Sequence, residues 1–149
     1  MPDSLDIQAL SAVDAPAVQS LLTRSFGAAF AQLSRVDIEA TFSDYPYAPI
    51  SMVGFRQGQV VAFVQVSAAY FHPSTYSLAW LAVAPEQRRA GFGGAMIRHA
   101  EVHIKRELLR GNPGSVLLVA AHDPSYFQHL GYLMGPSLFD GSPILIKNI

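Results

Sequence analysis

The sequence contains no cysteine, and this absence removes several kinds of chemistry. A chain without cysteine forms no disulfide and no thiolate zinc site, and it offers no cysteine nucleophile. Charged residues are also scarce at 14%, and the net charge is only −1. Because nucleic-acid binding needs a basic excess, this composition argues against a nucleic-acid partner.

Long hydrophobic runs are absent as well. The longest one, residues 60–64, is far too short to span a bilayer. The opening residues MPDSLDIQAL show no basic region followed by an apolar stretch, so we expect no signal peptide, no membrane association and a cytoplasmic location. The length of 149 residues and a hydrophobic share of 50% predict a single domain over residues 1–149. The same apolar share is compatible with a homodimer.

Hydrophobic patterning predicts both strands and helices. Aspartate and proline at positions 14 and 16 predict a helix over 14–26, with Asp14 as its N-cap. Strands are expected at 5–10, 50–56, 59–70, 76–83 and 116–121. Further helices are expected around 36–41, over 93–109 and over 124–130. A closing hairpin is expected to turn at 140–141. Strands before the long helix, followed by strand, helix and strand, predict an α/β sandwich with a mixed sheet.

The most informative stretch, residues 80–101, reads as a strand, a turn and a helix that begins with glycines. The first amides of a helix lack intrahelical partners and lie at the positive end of its dipole. Gly91, Gly93 and Gly94 let a bulky anion approach the backbone, and Arg88 and Arg89 add positive charge. The turn therefore predicts a pyrophosphate site. The alternative is a glycine-rich helix start without a ligand.

Three glycine-rich phosphate motifs compete for this turn. A P-loop requires Gly-Lys-Ser/Thr, and no lysine follows these glycines. The dinucleotide fingerprint requires a small third residue, where this chain has Met96. The motif R/Q-x-x-G-x-G/A after a strand ending in V-x-P fits residues 83–85 and 88–93 at every position. In these residues the chain resembles the acetyl-coenzyme A pyrophosphate loop of the GCN5-related N-acetyltransferase (GNAT) family.

The resemblance implies a mixed β-sheet flanked by helices and splayed between strands four and five. It implies direct acetyl transfer from acetyl-coenzyme A, without a metal, to a primary amine of a small molecule or peptide in a ternary complex. Bulged backbone at 81–83 would pair with the pantetheine arm and polarise the thioester carbonyl. The residues expected to bind the cofactor are Leu81, Ala82, Val83, Arg88, Arg89, Ala90, Gly91, Phe92, Gly93, Gly94, Ala95 and Phe127.

Residues 122–132 resemble the family helix that ends Y-x-x-x-G-F, whose tyrosine commonly protonates the departing thiolate. The position four before Gly131 is Phe127, and Tyr126 is the neighbouring phenol, as in a subgroup with D-P-x-Y-Y. Tyr126 is therefore the predicted acid, although it points about a third of a turn away from Phe127. The alternative is that Tyr126 is a structural aromatic residue.

His122 follows strand five and is a candidate base for the incoming amine. The alternative is that His122 only caps the end of the strand. Asp123 is expected to cap the next helix.

Two alternatives to amine acetylation stay open. The loss of tyrosine at Phe127 favours a non-catalytic acyl-coenzyme A-binding sensor or interaction module. A longer acyl group is a further alternative, since the size of the acyl pocket cannot be read from the sequence.

Other polar residues carry weaker signals. His99 and His103 lie one helical turn apart, but without a third ligand they predict solvated residues rather than a metal site. Glu101 and Lys105 have the spacing of a helix-surface pair. Tyr45 and Tyr47 either line an acceptor pocket or belong to an ordinary proline-pinned loop.

Overall fold

The computed structural model describes residues 4–45, 48–69, 72–106, 116–120 and 123–149. Seven strands, four helices and three short 3-10 turns form within these ranges. In chain order the elements are β1 (Asp6–Ala9), α1 (Ala15–Phe26), α2 (Ala31–Ala40), β2 (Ile50–Arg56), β3 (Gln59–Ala69), β4 (His72–Val83), α3 (Phe92–Arg106), β5 (Val116–Ala120), α4 (Pro124–His129), β6 (Leu133–Ser137) and β7 (Pro143–Asn148).

All seven strands join one sheet in the order β1-β2-β3-β4-β5-β7-β6. Every neighbouring pair is antiparallel except β4 and β5, which are parallel. A parallel pair needs a crossover, and α3 supplies it between these two strands. The predicted mixed sheet flanked by helices is therefore confirmed.

The sheet buries a different hydrophobic layer on each face. Successive residues of a strand point to opposite faces, so the alternating apolar residues of β3 serve both layers. One layer packs under α3 and contains Ala62, Val64, Val66, Met96, Ile97, Ala100 and Ile104. The other packs under α1 and α2 and contains Val18, Leu21, Leu22, Ile38, Val61, Phe63 and Trp80.

An irregularity in β4 opens the centre of the sheet. Gln65 of β3 pairs with Trp80, whereas the next residue, Val66, pairs with Leu78, so Ala79 is an extra residue in β4. The ladder between β4 and β5 covers Thr75–Ser77 opposite Val116–Leu118 and ends just before this bulge. Because a bulge bends its strand and increases the local twist, β4 leaves β5 here, which is the splay expected between strands four and five.

Two aspartates precede helices, and only one acts as a cap. Asp123 accepts hydrogen bonds from the backbone N and hydroxyl of Ser125 (3.2 and 2.6 Å), as predicted. Asp14 makes no capping bond, because its backbone is already helical and its carboxylate accepts from the Ser11 hydroxyl at 2.7 Å. Asp14 therefore occupies the predicted N-cap position of α1 but makes no side-chain capping bond.

The remaining elements agree with the expected order. The described part of α3 begins at Phe92 and runs to Arg106, and residues 107–109 of the predicted helix lie outside the described residues. β6 and β7 form the expected closing hairpin. Among the described helices, none combines the length and the apolar character needed to cross a membrane.

Candidate active site

The turn between β4 and α3 has an unusual backbone. Ala84 is fully buried and its amide donates to the Val61 carbonyl at 2.8 Å, which ties the end of β4 to β3. Arg89 and Gly91 then adopt left-handed φ angles of 67° and 81°. Left-handed residues in a glycine-rich turn can direct backbone amides toward a bound anion. Gly91 adopts this conformation without strain, whereas Arg89 does so at a cost.

Side chains from two other segments hold this turn in place. Arg56, the last residue of β2, donates from Nη1 to Oε1 of Gln87 at 2.6 Å, and its guanidinium lies 5.6 Å from the centre of the Phe92 ring. Arg88 Nε donates to the Val83 carbonyl at 3.2 Å. Arg56 therefore braces the turn from the side of the sheet, while Arg88 and Arg89 remain exposed to solvent.

A cavity of about 550 Å³ lies between this turn, β4 and the end of α1; we call it the phosphate-loop cavity. Eight of the predicted cofactor residues line it, together with Tyr126 and with Ser25, Phe26 and Gln87, which the sequence did not suggest. The eight are Leu81, Ala82, Val83, Arg88, Arg89, Gly91, Phe92 and Gly93.

The other predicted cofactor residues are placed differently. Ala90 is exposed in the turn. Gly94 is buried beneath Arg98 and Leu130. The amide of Ala95 makes a helical bond to the Gly91 carbonyl at 3.1 Å and is thereby already engaged within α3.

Tyr126 lies directly over the start of α3. A Cβ atom added to Gly93 would collide with the Tyr126 hydroxyl, so only glycine at 93 accommodates the phenol in this position. Burial raises the pKa of Tyr126, and the nearby Arg98 charge opposes this effect. The phenol is consequently protonated near neutral pH and is able to donate a proton into the cavity.

Phe127 lies in the core rather than in the cavity. Its side chain is 7% exposed and packs edge-on against Tyr126 and Tyr132, with ring centres 5.2 and 5.6 Å apart. The helix therefore turns Tyr126 toward the phosphate-loop cavity and Phe127 away from it. The predicted base, His122, lies outside the described residues.

A buried polar cluster fixes the end of α4. Glu101 of α3 is 8% exposed; it accepts from the Tyr132 hydroxyl at 2.9 Å and pairs with Lys147 Nζ at 2.9 Å. Lys147 also donates to the Leu130 carbonyl at 2.8 Å, just past α4. The predicted surface pair of Glu101 with Lys105 was therefore wrong, because Glu101 faces β7 and α4 instead of solvent.

The same cluster changes the acidity of Tyr132. Burial, the adjacent Glu101 charge and the hydrogen bond to it together raise the pKa of the Tyr132 phenol far above its usual value. Tyr132 therefore stays neutral and keeps its donor role over the whole physiological range of pH.

A second cavity, of about 630 Å³, lies between α2, the loop after it and the bulged part of the sheet; we call it the α2 cavity. Its described lining consists of Asp37, Ala40, Ser43, Tyr45, Ala48, Pro49, Gln65, Ser67, Ala68, Ala69 and Ala79. The predicted acceptor-loop residue Tyr45 is thus part of a cavity wall, and Tyr47 lies outside the described residues.

Hydrogen bonds hold Asp37 against the sheet. Its carboxylate Oδ2 accepts from Trp80 Nε1 at 2.8 Å, and its backbone carbonyl accepts from Gln65 Nε2, also at 2.8 Å. Gln65 is buried and donates as well to the Ser51 hydroxyl at 3.0 Å. α2 is thereby joined to β3 and β4 through polar groups, and the Asp37 carboxylate has a defined position.

Aromatic rings connect the two cavities. Phe26, which lines the phosphate-loop cavity, packs edge-on against Trp80 at 5.2 Å, and Phe30 packs against Trp80 at 6.4 Å. Trp80 in turn holds Asp37 of the α2 cavity. Trp80, one residue after the bulge in β4, therefore links a lining residue of one cavity to a lining residue of the other.

A family model described as the acetyltransferase (GNAT) family matches residues 15–130. The chain belongs to the GNAT family. The matched range contains both the turn before α3 and α4, so it includes the phosphate-loop cavity and Tyr126. No curated protein sequence matches the chain.

Solved GNAT structures have the same fold at low sequence identity. A GNAT-family acetyltransferase from Desulfovibrio desulfuricans has a TM-score of 0.81 at 16% identity, over 97% of this chain and 99% of the other. An Escherichia coli GNAT N-acetyltransferase (YhbS) in complex with CoA has a TM-score of 0.77 at 20% identity, over 97% and 81%. A Brucella melitensis GNAT acetyltransferase in complex with acetyl-CoA has a TM-score of 0.71 at 17% identity, over 98% and 88%.

Among the described residues, His99 and His103 of α3 belong to no group that could hold a metal ion. His99 is exposed and His103 is half-buried. Within the described ranges, no three histidine, aspartate or glutamate side chains come together as a metal site would require.

Sequence reasoning missed the residues that act across long distances in the chain. Arg56 hydrogen-bonds to Gln87, and Asp37 hydrogen-bonds to Trp80. These residues lie far apart in the chain, so no local spacing predicts the contacts. It also placed the bulge at 81–83, which was wrong: those residues pair in regular register with β3, and the extra residue is Ala79. A bulge depends on the pairing of two strands, so β4 alone carried no signal for its position.

Proposed function

We propose that this GNAT protein transfers an acetyl group from acetyl-coenzyme A to a primary amine of a small molecule or peptide, within a ternary complex. The observation that carries the proposal is the phosphate-loop cavity, in which a left-handed backbone turn, exposed arginines and a protonated phenol meet at the open side of β4.

The residues of this cavity fit the co-substrate. Gly91 and Gly93 carry no side chain, so at these two positions Tyr126 is the side chain that approaches the start of α3 most closely, and Arg88 and Arg89 supply charge for a pyrophosphate. Beyond Ser77 the side of β4 that faces the splay offers backbone groups to an extended pantetheine arm. The CoA and acetyl-CoA complexes of the E. coli and B. melitensis relatives are consistent with this assignment.

The transfer forms a C–N bond to the amine and breaks the C–S bond of the thioester. An amine that arrives as an ammonium ion loses one proton before it attacks and a second one as the C–N bond forms. The C–S bond breaks, and the thiolate accepts a proton from the Tyr126 phenol, which regains one from solvent. One proton is therefore released per turnover. His122, or a water chain in its place, is our assignment for the base.

Calorimetric titration with acetyl-coenzyme A tests the co-substrate site. Gly93→Val should weaken binding at least about 100-fold, because valine would occupy the space beside the Tyr126 hydroxyl and the loop amides. His99→Val, on the exposed face of the same helix, is the matched control and should bind as the unmodified protein does. No binding to the unmodified protein, or equal binding by the Gly93→Val variant, would contradict the proposal.

The second candidate is a non-catalytic acyl-coenzyme A sensor. The phenylalanine at position 127 favours it, since no tyrosine stands at the position of the usual family acid. Turnover separates the two: release of free CoA thiol that depends on an added amine supports the enzyme, whereas binding without any release supports the sensor. The cytoplasmic location and the homodimer stay predictions, and a longer acyl group stays an alternative.

A further inference from the structure

The α2 cavity reaches the bulge in β4, where the sheet opens. Ala79, the extra residue, lines this cavity, and it lies where β4 parts from β5. A molecule bound in the α2 cavity would therefore reach the splay through Ala79.

The α2 cavity carries one charge on its described wall. Asp37 is the single acidic or basic residue at neutral pH among the described lining, and the other members are alanines, serines, a proline, a glutamine and a tyrosine. No lysine or arginine of the described residues forms an ion pair with Asp37. A half-buried carboxylate without a cation among the described residues is a group with which a cationic ligand can pair.

The carboxylate is also held in a fixed direction. The indole N–H of Trp80 is a neutral donor, so it orients Oδ2 without cancelling the negative charge. The bond from Gln65 to the Asp37 carbonyl prevents α2 from moving this residue away from the sheet. Such preorganisation is typical of a binding group rather than of a solvated surface acid.

The reacting amine and the group bound by Asp37 must be different atoms. The Trp80 side chain stands between the Asp37 carboxylate and the β4 backbone at the bulge. An amine held against a carboxylate also keeps its proton and is a poor nucleophile. The alanine-rich walls leave room for the aliphatic chain that would join the two groups.

We propose that Asp37 anchors the distal ammonium group of a small aliphatic diamine, whose other amine is acetylated at the bulge. The proposal rests on the proposed acetyl transfer and names its acceptor class. Asp37 binds the acceptor and takes no part in the chemistry.

The experiment measures acetylation of two probes, 1,4-diaminobutane and n-butylamine, by CoA thiol release from the full chain. Asp37→Asn keeps an acceptor for Trp80 but removes the charge, and it should raise KM for the diamine about 10- to 100-fold with kcat nearly unchanged. KM for the monoamine should not change. Glu39→Gln removes the same charge from the exposed side of α2 and should leave both probes unaffected.

Direct calorimetry of 1,4-diaminobutane binding to the CoA-loaded protein separates this inference from the proposed function. Diamine binding that is lost in Asp37→Asn, without any turnover, would keep the anchor and overturn the transferase. Turnover with the same diamine KM in both proteins, or equal losses for both probes, would overturn the anchor and keep the transferase. A protein that binds neither probe overturns the anchor outright.

Discussion

The two cavities that Trp80 links differ in what determines their shape. The phosphate-loop cavity depends on backbone conformation, with left-handed residues at 89 and 91 and a glycine under Tyr126. The α2 cavity depends on side chains from distant segments, above all the bonds that join Asp37 to Trp80 and Gln65. The first type of site restricts which amino acids can stand at successive positions, so it leaves a local motif; the second does not.

The largest expected effect concerns the contact between Gly93 and Tyr126. Tyr126→Phe should lower kcat about 100-fold, close to 2.7 kcal/mol, by removing the proton donor. Gly93→Ala should lower kcat nearly as much, because its Cβ would push the hydroxyl aside. The double variant should be no slower than Tyr126→Phe alone, and steady-state kinetics of all four proteins measures this coupling. Additive losses would mean that Gly93 and Tyr126 act separately.

A smaller effect is expected in the α2 cavity. Trp80→Phe removes the donor that orients Asp37 and should raise the diamine KM about 10-fold, while acetyl-coenzyme A binding stays within about 2-fold. In an Asp37→Asn background the same change should add little, since the charge that it orients is already gone. Equal losses of both ligands would show that the two cavities do not act as separate sites.

The smallest effect concerns stability at high pH. A raised pKa of Tyr132 means that the folded state holds the phenolic proton more tightly than the unfolded chain, whose tyrosines titrate near 10.0. This contribution to the free energy of unfolding is complete below pH 10 and is lost as the pH rises above it. Denaturant titrations at pH 8 and pH 10.5 should show a loss of about 1 kcal/mol that is reduced in Tyr132→Phe. An unchanged loss would assign the pH dependence to other groups.

The sequence predicted the backbone-built parts of the molecule well. The order of strands and helices, the crossover by α3 and the glycine turn follow from hydrophobic periodicity and from residue types that only certain conformations accept. It also predicted the Asp123 cap, whose partner lies two residues away.

Parts of the molecule that depend on tertiary contacts could not be predicted from the sequence. Glu101 looked like a surface residue because its partners, Tyr132 and Lys147, lie 31 and 46 positions along the chain. The orientation of Tyr126 and Phe127 could not be read from their spacing alone, since it depends on how α4 packs against α3. The Asp37–Trp80 bond spans 43 positions and left no local trace.

The single extra residue, Ala79, opens the sheet for the proposed site, but the two hydrophobic layers do not depend on it. Leu78 faces the α3 layer and Trp80 the opposite one, so removing the residue between them would leave each side chain on its own face. A chain shorter by this one alanine would keep its hydrophobic layers and could extend the ladder between β4 and β5. We therefore expect deletion of the Ala79 codon to close the sheet while both hydrophobic layers stay in place.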